Sequence, residues 1–240
     1  MRLLRFLLLL TFASFSKSAI SQKKIEHQDL FWVRYQLKLN LNSNWQVSQG
    51  FEERIYWFPW RQHQFLSQTT GFYKLNKSFT TGLGFTYLEQ ANPQNPNVKD
   101  YENRTELRPH LEITYRQNLN EKFDLSQRLQ SEVRVFEQES GKFKYENIRA
   151  RFRAELSYVP IEKLKLKASD EVMFNIGNKI TNNVFDQNRL SLGIQYFPIQ
   201  SFGIELSYIN WFQQRASGNE YYNRDIVRVT FLHTFNLKRK

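Results

Sequence analysis

Residues 103–136 read NRTELRPHLEITYRQNLNEKFDLSQRLQSEVRVF, and this stretch decides the fold. Up to Tyr115 the odd positions are mostly apolar and the even positions mostly charged. After the polar turn Gln117–Lys122 the alternation returns from Phe123 to Val135. A period of two places alternate side chains on opposite faces of a β-strand, whereas an amphipathic helix requires spacings of three and four. The stretch therefore predicts a β-hairpin with one apolar and one charged face.

The same alternation recurs along the rest of the chain, in about eleven segments without helical periodicity. Short turns alternate with longer polar connections. The short turns follow Gln117, Val159 and Phe197, and the longer connections follow Leu88, Phe136, Ile176 and Phe212. Outer-membrane barrels have short periplasmic turns and longer loops outside the cell. The sequence therefore predicts an all-β, antiparallel up-and-down transmembrane β-barrel, with the loop Ala91–Asp100 outside.

The predicted number of strands depends on two segments of the chain. Single-chain bacterial barrels usually have an even number of strands. Residues Gln22–Asp29 could supply a further strand, and the third segment, His63–Leu75, has Leu66 and Phe72 on the polar parity. We therefore predict about twelve strands, with ten as the second choice.

Residues 1–21 have the features of a secretory signal peptide. Arg2 and Arg5 precede an apolar run that ends at Phe15, and Ala19 and Ser21 are the small residues expected before a cleavage site. The apolar run is shorter than the roughly 20 residues that a spanning helix needs. The sequence therefore predicts export, with a signal peptide at 1–21 and one outer-membrane barrel domain at 22–240.

The composition narrows the classes of function. The 240 residues include no cysteine, which excludes disulfides and thiolate sites. The net charge is +11, but Lys and Arg are spread over all strands, so nucleic acid is not a predicted partner. The predicted partners are outer-membrane lipids, the barrel-assembly machinery and a small anionic ligand or solute. No cofactor and no metal are predicted.

A soluble barrel of the lipocalin type would show the same alternation, with its apolar row inside. Two features favour a membrane barrel. Many predicted strands have about 12 to 14 residues, and about 9 to 11 tilted residues cross a bilayer. Aromatic residues also concentrate near strand ends, as in the girdles of membrane barrels. These aromatic residues are Trp45, Trp57, Trp60, Tyr87, Tyr115, Tyr158, Tyr196, Phe197, Trp211, Tyr221 and Tyr222.

Three short stretches resemble a known family. They are FWVRY at 31–35, with Trp45 and GFEER at 50–54, and the arginine-alternating NIRARFR at 147–153. Together they resemble a family of small bacterial outer-membrane β-barrels labelled domain of unknown function 2490, over residues 30–237. The resemblance implies a barrel in the bacterial outer membrane, and it implies no reaction and no ligand.

If the apolar rows face lipid, the charged rows converge in the lumen. Arginine outnumbers lysine in these rows, and guanidinium groups pair bidentately with carboxylates. Two interpretations stay open: ion pairs that brace a narrow barrel, or surplus arginines that form a narrow anion-preferring pore or ligand site. The predicted luminal network consists of Glu52, Arg54, Arg104, Glu106, Arg108, Glu112, Arg128, Glu132, Arg134, Arg149, Arg151, Arg153, Glu155 and Arg189.

The alternative function is a lipid-modifying barrel enzyme of the lipase or acyltransferase type. Such enzymes use a histidine beside a nucleophilic serine. His110 lies in the charged row, and His233 has the lipid-facing parity and lies near Ser191 or Ser207 in the predicted sheet. No Gly-x-Ser-x-Gly motif is present. We therefore predict a non-enzymatic barrel with no catalytic residues.

Overall fold

The computed structural model describes residues 23–237, which form a closed β-barrel. The predicted signal peptide at 1–21 lies outside the described residues. Within the described part, no helix is long and apolar enough to cross a membrane. The predicted all-β barrel is confirmed.

The described residues contain eleven strands. They are β1 (Lys24–Asn40), β2 (Trp45–Tyr56), β3 (Arg61–Lys74), β4 (Phe79–Asn92), β5 (Glu102–Asn118), β6 (Phe123–Glu137), β7 (Phe143–Ile161), β8 (Leu164–Ile176), β9 (Phe185–Ile199), β10 (Phe202–Gln214) and β11 (Glu220–Asn236).

Each strand pairs antiparallel with the next, and the barrel closes by a parallel pairing of β1 with β11. This pairing runs without a break from Lys24 opposite Glu220 to Asn40 opposite Asn236. The count within residues 23–237 is therefore one below the twelve that we favoured and lies inside the range of ten to twelve. Residues 24–29 lengthen β1 and do not form a separate strand, and parallel closure removes the need for an even number.

The two ends of the barrel differ in their connections. The turns after β1, β3, β5, β7 and β9 have two to four residues and lie at one end, here called the inner end. The other end, the outer end, carries the loop 93–101 between β4 and β5 and the loop 177–184 between β8 and β9. This asymmetry is typical of outer-membrane barrels, in which the longer loops face outward.

The predicted division of side chains between two faces is confirmed on most strands. Leu83, Leu111 and Leu129 are exposed on the outer wall, whereas Glu106 and Glu132 are buried inside. Aromatic pairs encircle the outer wall near the inner end, including Phe123 stacked on Tyr158 at a centroid distance of 4.5 Å. Other pairs at this level are Trp45 with Tyr73 and Phe79 with Tyr115.

Trp211 and Tyr222 were wrongly predicted as girdle residues. Both are buried, with 2% and 6% of their surface exposed, and both point into the lumen. Trp211 shares its luminal row with Glu205 and Ser207 on β10. The alternation along β10, and not the position near the strand end, therefore determines that the Trp211 ring points into the lumen.

A β-bulge explains the irregular third strand. The register between β2 and β3 shifts at Arg54 and Ile55, so that His63 is an extra residue and both His63 and Gln64 are buried. Leu66 and Phe72 keep the luminal parity and line a cavity. Apolar residues thus occupy the luminal row of β3, and this obscures its pattern in the sequence.

Gly84 on β4 lies where β3 and β5 pack closely against it, so a substitution at this position tests that packing. A methyl group at this position would lie 2.5 Å from the carbonyl oxygen of Thr69 and 2.5 Å from Nε2 of His110. We expect Gly84→Ala to lower the free energy of unfolding by about 1–3 kcal/mol, because backbone and a wedged ring must both shift. Urea titration of the refolded barrel measures this loss. Gly71→Ala is the control, since its nearest contact is 3.9 Å away, and an equal loss in both variants would contradict the explanation.

Candidate functional site: the charged lumen

A cavity of about 730 Å³, here called the inner cavity, occupies the lumen from the inner end to beyond its middle. Fifteen Lys and Arg residues line it, against six Glu residues. The basic residues are Arg34, Lys38, Arg54, Lys74, Lys77, Arg108, Arg116, Arg128, Arg149, Arg151, Arg153, Lys165, Lys167, Arg189 and Arg228. The acidic residues are Glu52, Glu112, Glu132, Glu155, Glu171 and Glu205.

Ion pairs cross several strands of one wall of this cavity. Glu132 on β6 accepts hydrogen bonds from Arg149 and Arg151 on β7, each with a shortest distance of 2.5 Å. Arg151 also pairs with Glu171 on β8 at 2.9 Å, and Glu171 pairs with Arg128 at 2.5 Å. The pairs thus connect β6, β7 and β8 around two shared carboxylates.

A second group of ion pairs lies on the opposite side, around Glu205 on β10. Its carboxylate accepts hydrogen bonds from Lys167 at 2.5 Å and from Arg228 at 3.0 Å. Arg228 also lies 4.0 Å from Glu52, which pairs with Arg54 at 2.5 Å. These contacts connect β8, β10, β11 and β2, so ion pairs brace both sides of the barrel.

The inner end of the cavity has a surplus of positive charge. Within residues 23–237, five basic residues around the opening have no carboxylate within 4.0 Å: Lys38, Lys74, Lys77, Arg116 and Lys165. We call these five residues the basic ring. They come from β1, β3, the following turn, β5 and β8. The ring therefore surrounds the opening and attracts anions into it.

A layer of buried apolar side chains from the neighbouring strands β10, β11, β1 and β2 borders the inner cavity on its side toward the outer end. It consists of Leu30, Trp32, Tyr56, Ile209, Trp211 and Ile226, none more than 2% exposed, and we call it the septum. Arginines stack on both tryptophan rings. Arg54 lies 3.8 Å above Trp32, and Arg189 lies 4.5 Å from the ring centre of Trp211. The septum is thus an apolar layer faced by cations.

A second cavity of about 710 Å³, the outer cavity, lies beyond the septum. Its charges are balanced, with Arg134, Lys179 and Arg215 against three acidic residues. Within residues 23–237, no side chain lines both cavities. The lumen therefore consists of a strongly basic inner part and a neutral outer part.

Thirteen of the fourteen predicted network residues lie in the lumen. Arg104 is the exception. It is exposed near the outer end of β5, where it donates a hydrogen bond to the backbone oxygen of Glu137 and stacks on Phe136 at 4.7 Å. Its position in the alternation is that of a luminal residue, but it is too near the rim of the barrel to pair with a carboxylate of the network.

Several luminal residues were missing from the prediction. Lys167, Glu171, Glu205 and Arg228 lie on the polar parity of β8, β10 and β11, so parity alone identifies them. Asp186, which pairs with Arg149 at 3.2 Å, is different. A register shift between β8 and β9 buries Asp186 beside Gln187. The local sequence contains no signal that predicts this shift.

The histidines do not form a catalytic pair with a serine. His233 lies on the outer wall beside Tyr35, whereas Ser207 points into the lumen and donates to Glu205 at 2.7 Å. His110 is buried and lies 3.1 Å from the Thr70 hydroxyl. Within residues 23–237, no serine hydroxyl is hydrogen-bonded to a histidine, and no group of His, Asp and Glu could hold a metal ion.

Comparisons with known proteins give a family for this chain and one solved structure of similar fold. A family model described as "Protein of unknown function (DUF2490)" matches residues 30–222, which confirms the resemblance found in the sequence. The NanC porin has a similar fold, with a TM-score of 0.52 and 10% sequence identity, over 85% of this chain and 97% of that chain. A structure of the KdgM porin has a TM-score of 0.40 and 11% identity, over 76% of this chain and 91% of that chain. No curated protein matched the sequence. The fold is that of a small porin-like barrel.

Proposed function

This chain belongs to the DUF2490 family, and we propose that it forms an anion-preferring channel in the bacterial outer membrane. The observation that carries the proposal is the charge of the inner cavity, where basic residues outnumber acidic ones by fifteen to six. Rings of Lys and Arg select anions in pores because they lower the energy of a negative ion in the path. The channel role needs no catalytic residue.

The ion pairs and the basic ring have separate roles in this proposal. The pairs around Glu132, Glu171 and Glu205 neutralise one another and hold neighbouring strands together. The basic ring has no carboxylate partners among the described residues. Its positive charge therefore acts on solutes in the opening. The bracing and the conducting interpretations therefore apply to different residues of the same lumen.

The outer wall supports a location in the membrane. Its exposed Leu, Ile, Val and Phe side chains suit contact with lipid, and the aromatic residues near the inner end suit the membrane–water interface. Phe231 and Phe235 are exposed on the last strand, and we propose that the barrel-assembly machinery recognises them. Recovery of the full-length protein in the cytosol after cell fractionation would contradict this location.

Ion selectivity of the wild-type protein tests the proposal. We expect the refolded protein in a planar bilayer to give stepwise currents, with a reversal potential in a potassium chloride gradient that has the sign for chloride preference. The physical reason is the field of the basic ring at the opening. A reversal potential of the opposite sign, or no current at any voltage, would reject the channel.

A further inference from the structure

The first residues of the loop 93–101 between β4 and β5, residues 93–95, fold into the outer end of the barrel. Arg61 donates hydrogen bonds to the backbone oxygens of Pro93 at 3.0 Å and Asn95 at 2.5 Å. The intervening Gln94 reaches across the lumen. Its side-chain oxygen accepts from Arg224 at 2.8 Å, and its backbone oxygen accepts from Gln28 at 2.9 Å. Three successive loop residues are thus fixed to the barrel wall, because their carbonyl oxygens accept hydrogen bonds from wall side chains.

The two arginines that hold this loop have only neutral acceptors. Arg224 is 0% exposed, and its other donors bind the carboxamide oxygens of Gln28 at 2.7 Å and Gln213 at 2.6 Å. Arg61 is also buried. Within residues 23–237, neither guanidinium has a carboxylate within 4.0 Å. These neutral oxygens do not compensate the positive charges of the two guanidinium groups. A carboxylate in their place would add a Coulomb attraction that carbonyl oxygens lack, so the site favours an anion over the loop.

We infer that Arg61 and Arg224 form a carboxylate-binding site that the loop masks with its own carbonyl oxygens. A carboxylate-bearing solute that enters from the outer end replaces the oxygens of residues 93–95, and the loop leaves the lumen. The loop thus narrows the outer end of the resting barrel, and the transported solute opens this end further. This inference rests on the proposed channel function and adds a ligand class and a site to it.

The site is connected to the septum below it. Arg224 stacks on Trp211 at 4.3 Å, and Arg189 stacks on the same ring at 4.5 Å. Arg189 and Arg54 both lie beside Trp32, at 5.7 Å and 3.8 Å from its ring centre. The three arginines and two tryptophans form a continuous row from the loop to the inner cavity. Arg224 is thus linked through Trp211 to Arg189, which lines the inner cavity, so a charge bound at Arg224 acts on the septum below it.

The loop can be observed directly, because the chain contains no cysteine. Asn97 is exposed on the loop, and Asn97→Cys accepts a spin label in the purified, refolded barrel. Succinate is the probe, and succinamide is the matched neutral control of similar size. We expect succinate to increase label mobility in a saturable manner and succinamide to leave it unchanged. The same succinate concentrations on the outer side should raise the open probability in a bilayer.

Two variants separate the site from general charge effects. Arg61→Gln removes both anchors of residues 93 and 95, so the label should be mobile without succinate and the succinate response should be lost. Arg224→Gln should give the same loss, and either variant suffices if the other fails to fold. Arg215→Gln is the control, because Arg215 lines the outer cavity but pairs with Glu220 at 3.1 Å and not with the loop. It should respond to succinate as the wild-type barrel does.

The outcomes distinguish this inference from the channel proposal. An immobile label in succinate, or an equal response to succinamide, would overturn the carboxylate site even if chloride currents are present. A succinate response that persists in both Arg61→Gln and Arg224→Gln would overturn it as well. A label that responds as expected in a barrel without any current would support the site and reject the channel.

Discussion

Replacement of Glu132 by Ala is expected to lower the free energy of unfolding by about 3–5 kcal/mol, the loss that follows removal of one partner from a buried ion pair. The Glu132 side chain is 2% exposed and holds two guanidinium groups. Arg149 donates to it from Nη2 at 2.5 Å and from Nε at 2.9 Å, and Arg151 donates from Nη1 at 2.5 Å. Without the carboxylate, the two adjacent guanidinium groups, which are 5% and 16% exposed in their side chains, lose their shared partner and repel each other.

Urea titration of the barrel refolded into lipid vesicles measures this effect. Glu155→Ala is the control, because Glu155 is also luminal but lies 4.0 Å from both Arg153 and Lys167 and is 17% exposed in its side chain. We expect the control to lose less than about 1 kcal/mol, as is usual for weak and partly hydrated pairs. Equal losses in the two variants would mean that the shared carboxylate does not brace β6 and β7.

The double variant Lys38→Glu with Lys165→Glu is expected to remove the preference for chloride over potassium. Both residues belong to the basic ring, and each substitution changes the charge by two units. A unit charge about 8 Å from a passing ion contributes about 0.5 kcal/mol in water. Two reversals therefore change the energy of chloride by about 2 kcal/mol, or more than tenfold in permeability, when the ionic strength is low.

The reversal potential in a salt gradient measures this change. Lys122→Glu with Lys163→Glu is the matched control, because both residues lie in turns at the same end and neither lines the cavity. The control has the same net charge as the ring variant and should retain the chloride preference. A similar shift in both variants would show that total charge, and not the ring, determines selectivity.

The alternation of side chains predicts most of this structure. A period of two is enough to place Glu106 and Arg134 in the lumen, where they pair at 2.6 Å, because the closed sheet gives every strand one inner face. The same rule identifies Glu205, although we left it out of the predicted network. Parity was the better guide for Trp211 as well, since its ring lies inside and not in a girdle.

Other features depend on contacts between distant residues. The bulge that buries His63 and the shift that buries Asp186 change parity within a strand, and each is a property of two paired strands. The inward fold of the loop 93–101 depends on Arg61 and Arg224, which lie on β3 and β11. The loop sequence alone, rich in Asn and Pro, predicts only an irregular connection. Its place in the lumen follows from residues far from it in the sequence.

The parallel pairing of β1 with β11 has a consequence for the order of folding. Every other pair of neighbours can form as a local hairpin, but this pair joins residues that are 196 positions apart. Contacts of such high sequence separation have a large entropic cost and form slowly. Until they form, both strands present unpaired backbone groups, which hydrocarbon does not tolerate. We therefore expect the pairing of β1 with β11 to form last. The transition state for assembly is then the state in which these two strands first pair.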